Sequence, residues 1–321
     1  MGECINRYRH FLLIALLFGG VFTTSSGVIA QPMAKKGVIN LSAIHFENGE
    51  AIQLEGEWEF YWNQLLAATD TISSGKKVYA YFPMIWNQLP NTSSFGYATY
   101  KLTILLPSSY PTLAISIPDL YTSYDLFINN ELIASNGKVA KTRREYTPKW
   151  QPATVSLSKF NQTELHLTLQ IANFDHYKGG GRLPIKLGLE KELTRSRELQ
   201  LGYAFTLMGS LIMGGLFFLG LYLYGRNEKP ILYFSLFCLS YSYRVIGIDL
   251  YPLHILINDI PWIYTIRAEY LALYIPPLFF TLFLQHLYPK ESSYIIFRIF
   301  HSTFLLLALT VLFLPPYYFT A

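Results

Sequence analysis

The chain has 321 residues, a length for about two domains. Its net charge is +4 and its basic runs are no longer than pairs such as Lys35–Lys36, Lys76–Lys77 and Arg143–Arg144, so a nucleic-acid partner is not expected. Hydrophobic residues make up 51% and charged residues 14%, and the apolar excess is concentrated in Phe11–Val21 and from Leu201 onward, which excludes a uniformly water-soluble protein.

At the N-terminus, Arg7, Arg9 and His10 precede Phe11-Leu-Leu-Ile-Ala-Leu-Leu-Phe, and small residues lead on to Ala30. A positive flank, a short apolar core and a small-residue end read as a signal peptide over residues 1–30, with an uncleaved anchor as the alternative. Either way the region that follows is expected to be exported. Cys4 lies before the apolar run, the wrong side for a lipoprotein, and Cys238 falls inside a later apolar helix. No disulfide, Cys-x-x-Cys or metal-ligand pattern is formed.

Residues 37–190 read as the exported domain. Runs rich in β-formers recur at Ala51–Trp62, Tyr97–Leu106, Leu113–Pro118, Tyr124–Ile128, Ala153–Leu157, Leu165–Ile171 and Leu183–Leu189. Asn129-Asn130 between two such runs predicts a tight hairpin. This spacing predicts an all-β, jelly-roll-like sandwich with one short helix around Tyr61–Ala68. Trp58 and Phe60 share one strand face and read as core. Trp86 and Trp150 follow Pro83 and Pro148, so both sit off the ladder and are candidate ligand contacts. Arg143 and Arg144 read as a solvated loop or as an anion clamp. Asn173 and His176 open a turn into Gly179-Gly180-Gly181, where bare backbone can approach a ligand closely, and join the candidates. Isolated Asp119, Asp125, Glu131 and Asp175 give no catalytic pair, and neither cofactor nor metal is expected.

Residues 191–200, charged and free of Gly and Pro, predict a stiff juxtamembrane coupler. Four spans are predicted over 201–224, 231–248, 263–284 and 295–314. Arg226, Lys229, Lys290 and Arg298 fall on the inner side if the first domain is exported, while 249–262 has neither Lys nor Arg. Arg244 is the ionisable residue deepest in an apolar run, expected to snorkel or to pair with Glu269 or Asp249. Pro276-Pro277 predicts a kink in the third span, and Trp262, Tyr264 and Tyr270 an outer aromatic belt.

Gly56-Glu-Trp-Glu-Phe-Tyr-Trp62, Gly96-Tyr-Ala-Thr-Tyr100, Asn136-Gly137 and Gln170-Ile-Ala-Asn173 with His176 and Gly179-Gly180 follow one another in order. With the adjoining spans they resemble the bacterial seven-transmembrane receptors with diverse intracellular signalling modules, the exported part resembling their second extracellular domain type. The resemblance implies a jelly roll akin to carbohydrate-binding sandwiches, a small ligand in the periplasm, and an output domain after a seventh helix. Because the chain stops at Ala321, past a fourth span, it is expected to be a fragment or an accessory binding subunit.

The expected function is the input portion of a sensory receptor in the bacterial inner membrane, not an enzyme, with a membrane-tethered glycan-active enzyme as the alternative. The expected partners are a small-molecule or carbohydrate ligand, the lipid bilayer, and a second copy of the chain or a cytoplasmic signalling protein.

Overall fold

The computed structural model describes residues 31–46, 49–67, 77–89, 92–257 and 260–321. The signal peptide expected over residues 1–30 lies outside the described residues.

Period-2 burial builds the first half. Strand β5 (Gly96–Leu105) turns Ala98, Tyr100, Leu102 and Ile104 inward, and β11 (Glu164–Asn173) does the same with Leu165, Leu167, Leu169 and Ile171. Their antiparallel register sets Leu167 against Leu102 and Leu169 against Tyr100, so inward residues meet inward residues; a one-residue slip would bury the polar set. Around this pair, β3 (Gly56–Trp62), β4 (Tyr79–Phe82), β8 (Ser123–Ile128) and β9 (Glu131–Asn136) complete the order β4-β3-β5-β11-β8-β9, with β1 (Val38–Asn40) added parallel to β5. The facing sheet has four strands: β10 (Ala153–Ser156), β6 (Leu113–Ile117), β13 (Lys186–Leu189) and β2 (Ile52–Gln53), in that order. A short pair, β7 (Leu120–Tyr121) with β12 (Gly180–Gly181), closes one end. The result is the all-β sandwich expected from the strand spacing.

Between the sheets Trp58, Phe82 and Tyr100 form an aromatic centre. Trp58 lies 4.5 Å from Phe82 and 6.4 Å from Tyr100, the latter edge-on at 83°. Asn129 and Asn130 turn the β8–β9 hairpin with φ of +48° and +72°, the left-handed pair that matches strand twist. The helix expected around Tyr61–Ala68 does not form over its described part. Tyr61 and Trp62 finish β3, and residues 63–67 run as irregular chain. Sheet side chains take its backbone bonds instead: Thr99 Oγ1 accepts from Leu66 N at 3.1 Å and donates to Gln64 O at 2.7 Å, and Gln170 Nε2 donates to Leu66 O at 3.0 Å.

The second half is helical. Helix α1 (Glu190–Leu221) starts directly after β13 and runs on through a π-type turn at Tyr222–Arg226. It is followed by α2 (Lys229–Ile246), a single turn α3 (Leu253–Leu256), α4 (Trp262–Leu287), α5 (Tyr294–Phe313) and a single turn α6 (Pro316–Phe319). Among the described residues three helices are long and apolar enough to cross a membrane: Glu190–Gly225, Trp262–Leu287 and Tyr294–Phe313. The span expected over 231–248 is a helix but falls outside that set. Ser235, Ser240, Ser242, three tyrosines and Arg244 dilute its apolar content. α1 and α2 close on Gly215, where a Cβ would come within 2.7 Å of Leu239, and Ser235 Oγ donates to the Gly215 carbonyl at 2.8 Å. α4 runs on as helix through Pro276 and Pro277.

Candidate functional site

Strand register places four polar residues in one row across the four-stranded sheet. Thr154 of β10 lies opposite Ser116 of β6, Ser116 opposite Lys186 of β13, and Lys186 opposite Gln53 of β2. The helix α1 rises beside this row and presents Leu193, Ser196, Arg197 and Gln200, spaced i, i+3, i+4 and i+7 and therefore on one face. Asp119, just past β6, and Asp249, just past α2, close one side. Together they line a cleft of about 560 Å³, a size suited to a small ligand.

The first turn of α1 is tied to the sheet. Glu190 N donates to Thr112 O at 3.1 Å, and Ser156 Oγ donates to the Glu190 carboxylate at 2.8 Å. In the cleft, burial pushes the Asp119 carboxyl up; Arg182 opposes this and Asp249 adds to it. No group of three or more His, Cys, Asp or Glu side chains among the described residues is placed to hold a metal.

Beside the cleft, the sandwich meets the helices through aromatic rings. Tyr121 stacks on His176 with centroids 4.6 Å apart and planes at 13°. Trp150 stands edge-on to Trp262 at 5.7 Å and 90°, and lies 6.0 Å from Tyr251. Tyr251 Oη donates to the Glu269 carboxylate at 3.1 Å. Tyr177 N donates to Thr320 Oγ1 at 3.0 Å, a second tie between the two halves. Burial holds the His176 imidazole down at about 4 and pushes the Tyr121 hydroxyl up to about 12, so at neutral pH both rings are uncharged. Asp249 and Tyr251 both adopt left-handed backbone, with φ of +57° and +47°. This strain sits in the loop that faces the cleft with one residue and the aromatic cluster with the other.

The residues nominated from the sequence fall elsewhere. Trp86 is 0% exposed, so its ring offers no surface to a ligand. Its Nε1 donates to Tyr100 Oη at 2.9 Å, and it stands edge-on to Trp62 at 4.9 Å. The glycine run does allow a close approach, but the approaching group is this ring: a Cβ on Gly179 would meet Trp86 at 2.4 Å. Trp150 is buried in the junction. Asn173 is buried and builds its turn, with Nδ2 donating to Ser94 O at 2.7 Å and His176 O at 2.7 Å. His176 Nδ1 accepts from Lys178 N at 2.9 Å. Arg143 pairs with Asp175 at the surface, beside exposed Arg144. None of these six lines the cleft.

Arg244 makes no ion pair within 4 Å with Glu269 or Asp249 among the described residues; the Glu269 carboxylate accepts instead from the Tyr251 hydroxyl. Arg267 has a role that the sequence does not signal. It reaches from α4 to the end of α5 and donates to the carbonyls of Val311, Leu312 (2.6 Å) and Leu314 (3.2 Å), capping that helix. Its partners lie 44 to 47 residues further along the chain, so no signal local to its own segment marks it.

Residues 201–321 match the family model described as 7TM diverse intracellular signalling. No curated protein matches the chain. Among solved structures, the chain is similar to a GH2 beta-galacturonidase from Eisenbergiella tayi bound to galacturonate, at 14% identity and a TM-score of 0.31, over 43% of this chain and 24% of that one. A Faecalibacterium prausnitzii beta-glucuronidase gives 13% and 0.34 over 43% and 31%. Bacteroides uniformis beta-glucuronidase 2 gives 15% and 0.35 over 43% and 17%. The chain spans less than a third of each of these proteins. At such scores the likeness carries no argument about chemistry.

Proposed function

We infer that this chain, whose residues 201–321 match the 7TM diverse intracellular signalling family model, is the input portion of a membrane sensory receptor. The sandwich lies on the outer side of the bacterial inner membrane, in the periplasm. A small ligand enters the cleft and biases the packing of the helices. The role is non-enzymatic.

One observation carries the reading. The helix that walls the cleft with Ser196, Arg197 and Gln200 is the same unbroken helix that packs Gly215 against α2 some 20 Å further on, at about 1.5 Å per residue. A ligand that draws the cleft walls together tilts or turns that helix, and a rigid rod passes the motion on. The strained loop at Asp249 and Tyr251 supplies a second route, since it joins the cleft to Glu269 of α4 through the Tyr251 hydroxyl. The resemblance to carbohydrate-binding sandwiches makes a sugar the ligand it suggests first.

The test uses the full chain in nanodiscs, with spin labels on α1 and α4 near their inner ends. A bound ligand should change the distance between labels. Inserting four glycines after Gln200 should leave binding in place and abolish the change. An unaltered distance change in that variant would overturn coupling through α1.

A further inference from the structure

We propose that the cleft between the four-stranded sheet and α1 takes a small zwitterion of the amino-acid or short-peptide class. The ligand's ammonium lies between Asp119 and Asp249, and its carboxylate between Lys186 and Arg197. This rests on the reading of the cleft as the ligand site, and replaces the sugar with another ligand class.

The lining chemistry separates the two classes. Among the described residues the cleft is lined by no Trp, Tyr or Phe, so a sugar would find no ring to stack on. It is lined instead by ionisable groups of both signs: Asp119, Asp249, Lys186 and Arg197. These do not neutralise one another. Among the described residues no ion pair within 4 Å joins either carboxylate to either cation.

The charges are also sorted by place. Asp119 and Asp249 lie close enough to repel each other, and Arg182 is the cation that bears on Asp119. Two carboxylates lining one cleft, one of them half-buried, favour a cation between them. Lys186 stands in the polar row of the sheet and Arg197 on the facing helix, so a carboxylate between them is held from both walls. Arg197 adds a planar donor fork matched to carboxylate geometry. Ser116, Thr154 and Gln200 supply neutral hydrogen-bonding groups along the remaining wall.

The two poles divide between the moving parts. Asp119 and Lys186 belong to the sandwich, whereas Asp249 and Arg197 belong to the helical half. A zwitterion therefore bridges sandwich to helices at both of its ends. A neutral ligand would draw the same walls together less strongly.

The test is calorimetry and thermal shift on the full chain in nanodiscs, with one panel of free amino acids and short peptides and another of neutral mono- and disaccharides. At least one member of the first panel should bind saturably at or below millimolar concentration. Asp119→Asn and Arg197→Gln should each weaken it at least tenfold. Asp249→Asn, at an exposed position, replaces Asp119→Asn if that variant fails to fold. Ser196→Trp, an exposed site on the cleft wall, should abolish binding by projecting an indole between α1 and the sheet.

No binding from the first panel overturns the proposal. Binding of a neutral sugar alone, lost in Ser196→Trp, overturns it and leaves the cleft as the ligand site. Binding that survives Ser196→Trp overturns the cleft itself.

Discussion

The two halves of this molecule obey opposite rules about where apolar side chains go. In the sandwich, Trp58, Leu102 and Leu169 point inward and are almost wholly buried. In the helices, Met213 is 76% exposed and Phe313 78%. The difference is one of solvent. A sheet in water must hide its apolar face against another sheet, while a helix in lipid loses nothing by turning leucine and phenylalanine outward. Backbone bonding follows the same division. Strand β5 depends on β3, β11 and β1, which are distant in sequence, whereas each helix satisfies its own interior amides.

Where the two rules meet, the side chains have one apolar and one polar end. Tyr121, Trp150, Tyr251 and Trp262 fill the junction. Such rings suit a boundary between water and hydrocarbon. The cleft opens beside this junction, so the site belongs to neither half alone.

If the halves are independent in stability, variants should separate them. Trp58→Ala, in the aromatic centre, should destabilise the sandwich by about 3–5 kcal/mol and leave helix content unchanged. Near-ultraviolet and far-ultraviolet circular dichroism followed in one melt would show two transitions, with the first alone displaced. A single displaced transition would mean that the junction welds the halves into one cooperative unit.

The next effect is set by pH. Burial holds His176 at about 4, whereas an unfolded chain binds that proton near 6.5. As pH falls, the unfolded state therefore protonates first. The stability from neutral His176 is intact above pH about 6.5 and is lost progressively toward pH about 4, by roughly 3 kcal/mol at most. Denaturant midpoints of the sandwich transition across that window should fall, and His176→Gln should flatten the slope.

Gly215→Leu attacks the other half. A side chain there collides with Leu239, and overpacking should cost about 1–3 kcal/mol. Hydrogen exchange should rise in α1 and α2 while the strands keep their protection. Tyr251→Phe is the mildest change. It removes the hydroxyl bonded to Glu269 and should cost about 1 kcal/mol. Exchange should rise at the 247–257 loop and leave both interiors as they were.

Much of the fold was legible because its signals are local. The alternation in Leu165–Ile171 and the pair Asn129-Asn130 need only their neighbours to be read, and both elements form. The helix around Tyr61–Ala68 failed because Thr99 and Gln170, from two distant strands, capture the backbone that a helix would have used. Trp86 sits off the ladder, as its place after Pro83 suggests, but its ring turns into the interior. Its partners are Tyr100 and the glycines at 179 and 180, and a position after proline says nothing about which way a ring turns. The cleft is illegible in the sequence for the same reason. Gln53, Ser116, Thr154 and Lys186 become neighbours only through register, and none is unusual in its own segment.

By itself the amino-acid order determined that an aqueous β module is followed by helices suited to lipid, since hydrophobic periodicity and run length are properties of short stretches of chain. Only the tertiary structure decided which polar side chains share a cavity, that Trp86 and Asn173 serve the interior, and that α1 joins the cleft to the membrane. Those outcomes depend on strand pairing and docking between residues far apart in sequence, energies that no single segment contains.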